Sequence, residues 1–154
     1  MTALQYRFTD LRRLVDDTHA IFDAWIEDVS EGGSVSGDAL TLLRLKLAVH
    51  EWMANLVQHA RFAGPPVVAL QVLSLPSGEV ECRIEDNSEG FNLDAALDAR
   101  RHALHALPER GMGLLILHAC SKDLRYVQAS LPPSHTLVFV VAAPDEDIFL
   151  DVLF

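Results

Sequence analysis

One long helix, apolar on nearly every side, restricts the possible folds of this chain more than any other feature. The sequence predicts this helix from Ser36 or Asp38 to about Ala60, and the run Gly64-Pro65-Pro66 stops it. Its apolar side chains are Leu40, Leu42, Leu43, Leu45, Leu47, Val49, Trp52, Met53, Leu56 and Val57. A helix that is apolar nearly all round is usually buried, so we expect it inside the domain.

Three polar side chains interrupt this helix at steps of four residues: Glu51, Asn55 and His59. A helix advances about 100° per residue, so the three lie on nearly one face over about 12 Å. A buried carboxylate and amide cost free energy unless they find partners, so this stripe is expected to face a ligand, a metal or a wet pocket. For His59, a packed and hydrogen-bonded histidine at a helix end is an equally good interpretation.

Size and composition favour one compact domain that stays in the cytoplasm. The chain has 154 residues, half of them hydrophobic, and no apolar run long enough to span a bilayer. Its first residues show no basic stretch followed by an apolar segment, so secretion is not expected. The two cysteines, Cys82 and Cys120, lie in apolar surroundings and are interpreted as buried free thiols.

The formal net charge of −10 bears on the choice of partners. Direct binding to nucleic acid needs a basic surface, so this charge disfavours it. It is compatible with a basic protein partner, although many proteins are acidic for solubility alone.

The order of predicted elements indicates an α+β fold. The predicted strands are 3–8, 67–75, 79–85, 124–129 and 136–142; the predicted helices are 11–29, 36–60 and 113–120, with a helix plus loop at 92–105. Hairpins with interspersed helices favour a two-layer sandwich, in which a mixed, mostly antiparallel sheet carries its helices on one face. We assign residues 1–143 to this domain and 144–154 to a C-terminal tail that docks on the domain or on a partner.

Two glycine-containing segments carry further chemistry. Asp86 ends an apolar strand and can accept a hydrogen bond from an exocyclic amine, although alone it is better interpreted as a turn aspartate. Gly90, four residues later, allows a close backbone approach or simply a turn. The run Arg110-Gly111-Met112-Gly113 precedes an apolar helix, where free backbone N–H groups can hold phosphate oxygens and Arg110 can add charge. A loop-to-helix turn is the commoner explanation of such a run. The presence of both glycine-containing segments in one chain is therefore stronger evidence for a nucleotide site than either segment alone.

Taken in order, these segments resemble the GHKL ATPases, whose Bergerat ATP-binding fold is shared by histidine kinases and gyrase. Residues 45–60 resemble the N box, residues 84–91 the first glycine box and residues 109–117 the second. Within that superfamily the chain looks most like the bacterial anti-sigma-factor serine/threonine kinases.

The resemblance implies a role for each matching residue. Glu51 would be the general base, Asn55 would ligate Mg²⁺, and Asp86 would bind the adenine amine. The other residues implied in nucleotide binding are His59, Ser88, Gly90, Arg110, Gly111, Gly113 and Thr136. Thr136 would sit on a strand beside the adenine aspartate, and an ordinary strand threonine is an equally good interpretation.

Three positions depart from the family pattern. Ser88 replaces the first glycine of the first glycine box, His50 replaces an acidic residue before the general base, and His135 replaces a glycine before Thr136. None of these changes removes Glu51, Asn55 or Asp86, so nucleotide binding remains the expectation.

The resemblance implies an ATP- and Mg²⁺-dependent protein serine/threonine kinase that acts as an anti-sigma factor. Such a protein sequesters a sigma factor, releases it on binding a STAS-type anti-anti-sigma protein, phosphorylates that protein and works as a homodimer. The alternative is a partner-switching scaffold, with or without nucleotide, that has no turnover. A detached ATP-binding domain of a two-component histidine kinase is disfavoured, because His19 lies on a single amphipathic helix and not on a helix pair.

Overall fold

The computed structural model describes residues 2–32, 39–103, 112–130 and 132–141. The strands are β1 (Thr2–Phe8), β2 (Val68–Ser74), β3 (Val80–Asp86), β4 (Ser121–Ser130) and β5 (Pro133–Val141). The α-helices are α1 (Leu14–Gly32), α2 (Ala39–His59), α3 (Leu93–Ala103) and α4 (Gly113–Ala119), with a 3-10 turn at Leu11–Arg13. The predicted tail, 144–154, lies outside the described residues, and no helix within them is long and apolar enough to cross a membrane.

The strands form one sheet in the order β1-β2-β3-β5-β4, and each described pairing is antiparallel. This arrangement confirms the predicted α+β class. The register sets Asp86 on β3 opposite His135 on β5. Side chains of directly paired residues share a face of the sheet, so these two point the same way.

The core lies between the sheet and α2, as the apolar pattern of α2 predicts. Leu45, Trp52 and Leu56 on α2 are fully buried, together with Ile84 and Leu137 of the sheet. Each such side chain stabilises the fold by about 1.5–3 kcal/mol through loss of contact with water. The helix is not buried all round, because Leu43 is 59% exposed.

Local side-chain chemistry explains where the helices begin. Asp10 accepts a hydrogen bond from the Arg12 N–H at 3.0 Å and so caps the 3-10 turn that leads into α1. Asn92 accepts from the Ala95 N–H at 3.0 Å and starts α3 in the same way.

The strand predicted at 124–129 begins three residues earlier, at Ser121. The register with β5 shifts between Lys122 and Arg125, and Asp123 has a positive φ of 54°. A bulge of this kind inserts polar residues without ending a strand. The predicted strand therefore begins too late, because the bulge interrupts the sequence pattern at a place where the strand only bends.

Candidate functional site

The centre of the site is the carboxylate of Asp86 at the end of β3. The side chain is 1% exposed, and its Oδ1 accepts hydrogen bonds from the Ser88 N–H at 2.9 Å and from the Ser88 hydroxyl. Its Oδ2 is buried and has no hydrogen-bond partner in the part of the chain that the structure describes. One oxygen is thus held by the protein, and the other can accept a hydrogen bond from a ligand.

Ser88, which stands where the family pattern has a glycine, organises the loop after β3. Besides donating to Asp86, its hydroxyl accepts from the Gly90 N–H at 3.1 Å. The serine therefore ties the loop to the aspartate instead of leaving the turn open.

Asn87 anchors the same loop from its other side, a role that the sequence motifs did not predict. Its Oδ1 accepts from the Val67 N–H at 2.8 Å, and its Nδ2 donates to the Pro65 carbonyl at 2.9 Å. The partners lie 20 and 22 residues earlier in the chain. The only sequence signal was an amide side chain inside the first glycine box.

Gly90 and His135 meet at the floor of the site. Gly90 has φ +78°, a left-handed conformation that favours glycine, and a Cβ there would lie 2.9 Å from His135 Nε2. The histidine is 3% exposed, and neither ring nitrogen has a partner among the described residues. Glycine at position 90 is therefore required both by the backbone and by the ring packed against it.

Aromatic rings enclose this corner. Trp52 and Phe91 are stacked with their centroids 5.4 Å apart, and Tyr126 contacts both of these rings. The Tyr126 ring lies 5.8 Å from that of His135. Such surfaces suit a flat, apolar-faced ligand.

The Tyr126 hydroxyl is a further buried polar group; the Ser88 hydroxyl lies near it, but no hydrogen bond of normal geometry joins it to the described residues. Burial is the main reason why the pKa of Tyr126 is raised, and the nearby charge of Asp86 adds to it. The Ser88 hydroxyl acts in the opposite direction. Tyr126 is therefore a neutral donor at physiological pH.

The structure brings the predicted general base to the second glycine box. A Cβ on Gly113, the first residue of α4, would lie 2.5 Å from Glu51 Oε2. Asn55 follows one turn later on α2, and its Nδ2 is buried without a partner among the described residues. Glu51, the first residue of the polar stripe, thus lies beside the start of α4.

The remaining predicted residues are not all gathered here. His59 is exposed at the last position of α2. Thr136 pairs with Glu85 and lines a cleft on the opposite face of the sheet with Arg83, so the structure does not set it beside Asp86. Arg110 and Gly111 lie outside the described residues.

Both cysteines are buried and unbonded, which confirms their predicted state. Burial raises the pKa of the Cys82 thiol, and it raises that of Cys120 to about 11. Neither thiol is a nucleophile near neutral pH.

Similarity to known proteins concerns the family of this chain. A family model described as "Histidine kinase-like ATPase domain" matches residues 13–138. The chain is also similar to a solved histidine kinase domain from the blue-light activated histidine kinase of Erythrobacter litoralis EL346, at 15% identity and a TM-score of 0.49, covering 86% of this chain and 68% of that one. No curated protein matches the chain significantly. The range matched by the family model contains Glu51, Asn55, Asp86 and Gly113.

Proposed function

The chain belongs to the family of histidine kinase-like ATPase domains, and from that premise we propose that it is an ATP-dependent serine/threonine kinase and anti-sigma factor. One observation carries the nucleotide part: the buried Oδ2 of Asp86, which has no partner among the described residues. Leaving a buried acceptor unpaired costs about 1–3 kcal/mol, and a ligand amine would recover this cost.

The hydrogen bonds of Asp86 favour adenine over guanine. Guanine offers two neighbouring donors, which bind best to both oxygens of a carboxylate. Here the Ser88 N–H and hydroxyl already occupy Oδ1. The single remaining oxygen matches the single exocyclic amine of adenine.

Asn55 fits the role of a protein ligand for Mg²⁺. No group of three or more His, Cys, Asp or Glu side chains in the described ranges could hold a metal ion, and Mg²⁺ commonly binds through few protein ligands together with phosphates and water. The ligating atom would be the amide oxygen of Asn55, and the amide nitrogen, which has no partner in those ranges, could donate to a phosphate oxygen or a water. When bound, Mg²⁺ would neutralise charge on the phosphates.

Glu51 is the proposed general base. It would take the proton of a serine or threonine hydroxyl while that oxygen bonds to the γ-phosphorus, the bond to the bridging oxygen breaks and ADP leaves. A positioned base of this kind contributes about 10²–10⁴-fold to rate. Contact with Gly113 sets the carboxylate beside the segment proposed to hold the phosphates.

The proposed partners are a sigma factor and a STAS-type anti-anti-sigma protein that receives the phosphate. We also propose a homodimer that works in the cytoplasm. The net charge of −10 supports protein partners over nucleic acid.

A partner-switching scaffold without turnover is the second candidate. The observation that favours it is the buried His135 ring beside Asp86, where the family pattern has a glycine. If this ring fills the base pocket, partner binding would persist without phosphate transfer.

Calorimetric titration with ATP and ADP, with and without Mg²⁺, tests the pocket first. Phosphate transfer to candidate STAS proteins encoded nearby then tests the kinase, with Glu51→Gln as the active-site variant and Glu27→Gln, an exposed carboxylate on α1, as its matched control. The kinase proposal expects transfer by the wild type and by Glu27→Gln, and expects Glu51→Gln to bind ATP without transferring phosphate. Binding of nucleotide without transfer to any candidate would favour the scaffold, and absence of binding would refute the nucleotide site.

A further inference from the structure

We propose that His135 reads the nucleotide base: one of its ring nitrogens hydrogen-bonds a purine ring nitrogen next to the amine that Asp86 accepts. This inference rests on the proposed nucleotide site and names a specificity-determining residue within it. The resemblance assigns His135 no such role, because the family usually has glycine there.

The strand register brings the two groups together. Asp86 and His135 are directly paired on β3 and β5, so their side chains leave the same face of the sheet. Directly paired residues of antiparallel strands have Cβ atoms about 4.5–5.5 Å apart. The adenine amine and a ring nitrogen beside it are close neighbours on one edge, so a single base can reach both side chains.

Both side chains hold unused hydrogen-bonding capacity. Asp86 Oδ2 and the two nitrogens of His135 lack partners in the described chain, so they do not bond each other. A neutral imidazole has one donor and one acceptor, and purine ring nitrogens next to an amine are acceptors. The tautomer whose N–H faces the base would therefore complement Asp86, which supplies the acceptor for the amine.

The ring is held in place before any ligand arrives. On one side, the Gly90 Cα carries no Cβ, and one built there would lie 2.9 Å from Nε2 and 3.0 Å from Cε1. On another side, the Tyr126 ring lies 5.8 Å away, centroid to centroid. A ring fixed in this way loses little conformational freedom on binding, which favours affinity.

A purely structural role would explain why His135 is buried but not why it is a histidine. His135 is 3% exposed between Gly90 and Tyr126, and an apolar ring of similar size would fill this space at a lower free-energy cost. Burying a polar ring with both nitrogens unpaired carries a cost that phenylalanine would avoid. The comparison of histidine with phenylalanine at this position is thus the natural test.

The experiment measures ADP affinity by calorimetry on the full chain, using the wild type, His135→Phe and His135→Gln. The probes are ADP, two analogues in which N1 or N7 is replaced by carbon, and an analogue without the 6-amine. The matched control is His19→Phe, the same substitution on the other side of α2, where the histidine already bonds His50.

We expect one of the two ring-carbon analogues to bind the wild type about tenfold more weakly than ADP. His135→Phe should bind ADP about tenfold more weakly and lose that discrimination, yet still discriminate against the analogue without the amine, because Asp86 remains. His135→Gln, which keeps a donor and an acceptor, should recover part of the affinity, and His19→Phe should match the wild type.

Three results would overturn the inference. The first is a wild type that binds both ring-carbon analogues as well as ADP, a measurement that needs no variant to fold. The second is unchanged or tighter ADP binding by folded His135→Phe, which would mean that the ring only packs or obstructs. The third is a wild type that does not bind ADP, which would also remove the proposed nucleotide site; the first two leave that site standing.

Discussion

The polar side chains on the two sides of α2 differ in whether they have hydrogen-bond partners. On the side that faces α1, Lys46 bonds Asp23 at 2.5 Å and His50 bonds His19 at 2.8 Å. On the side that faces α4 and the end of the sheet, Asn55 Nδ2 and Trp52 Nε1 are buried without partners among the described residues, as is Asp86 Oδ2 nearby. The polar pairs named on the α1 side are formed within the fold, whereas the buried groups named on the site side have no hydrogen-bond partner among the described residues.

The difference matters energetically. A partly exposed ion pair such as Lys46–Asp23 contributes about 0.2–1 kcal/mol, whereas each buried unpaired group costs about 1–3 kcal/mol. Proteins rarely retain several such groups together without a ligand or water. Several buried unpaired groups lie on one side of α2, and this clustering indicates where the site is. The positions of charged side chains do not, because charged residues lie on both sides of the helix.

The largest expected effect is on stability and comes from adding a methyl group at Gly90, next to the site. Gly90→Ala should lower the free energy of unfolding by about 2–4 kcal/mol, because a left-handed alanine costs about 1–2 kcal/mol and the contact with His135 adds to it. Urea unfolding measures the loss. The matched control is Gly78→Ala, which has φ +88° but open space around it and should show the backbone cost alone. Equal losses in the two variants would show that the His135 ring does not press on Gly90.

Removing one carboxylate from each side of α2 tests the comparison directly. Asp86→Asn should weaken ADP binding about 100-fold, roughly 2.7 kcal/mol, because its amide can no longer serve as acceptor to both Ser88 and the base. Asp23→Asn on the α1 side should leave ADP affinity within about twofold, since Asp23 pairs with Lys46 on the side of α2 away from the site. Calorimetry measures the ADP affinity of both variants. A similar loss of affinity in the two would contradict the division of α2 into two sides.

A smaller effect is expected at Gly113. An alanine Cβ would crowd Glu51 Oε2 at 2.5 Å, and the end of this flexible side chain would move in preference to the backbone. A displaced base should lower the rate of phosphate transfer about tenfold while the protein remains folded. Gly64→Ala, with nothing within 4 Å of its Cβ, is the control. An unchanged transfer rate in Gly113→Ala would argue against Glu51 as the reacting base.

The smallest effect is expected on the α1 side. Lys46→Met keeps the apolar stem and loses the pair with Asp23, so the free energy of unfolding should fall by less than about 1 kcal/mol. The loss should shrink further at high salt, because screening already weakens this pair in the wild type. A loss of several kcal/mol that does not depend on salt would mean that interactions on the α1 side contribute as much to the free energy of unfolding as those on the site side.

The sequence predicted well what depends on neighbouring residues. The helical period set Glu51 and Asn55 on one face of α2, and the strands predicted at 67–75 and 79–85 correspond to the hairpin of β2 and β3. It missed the anchoring of Asn87 by Val67 and Pro65 and the contact between Gly90 and His135. These depend on residues at least 20 positions apart, which no local pattern encodes.

The sequence by itself determined which residues on α2 share a face, because a helix turns by a constant angle and the spacing of four residues is local. Only the tertiary structure decided that His135, and not Thr136, lies beside Asp86. Side chains alternate along a strand, so a shift of one residue in the pairing of β3 with β5 exchanges the two faces. That register is set by the packing of the whole sheet against the helices, and it determines which polar groups surround the site.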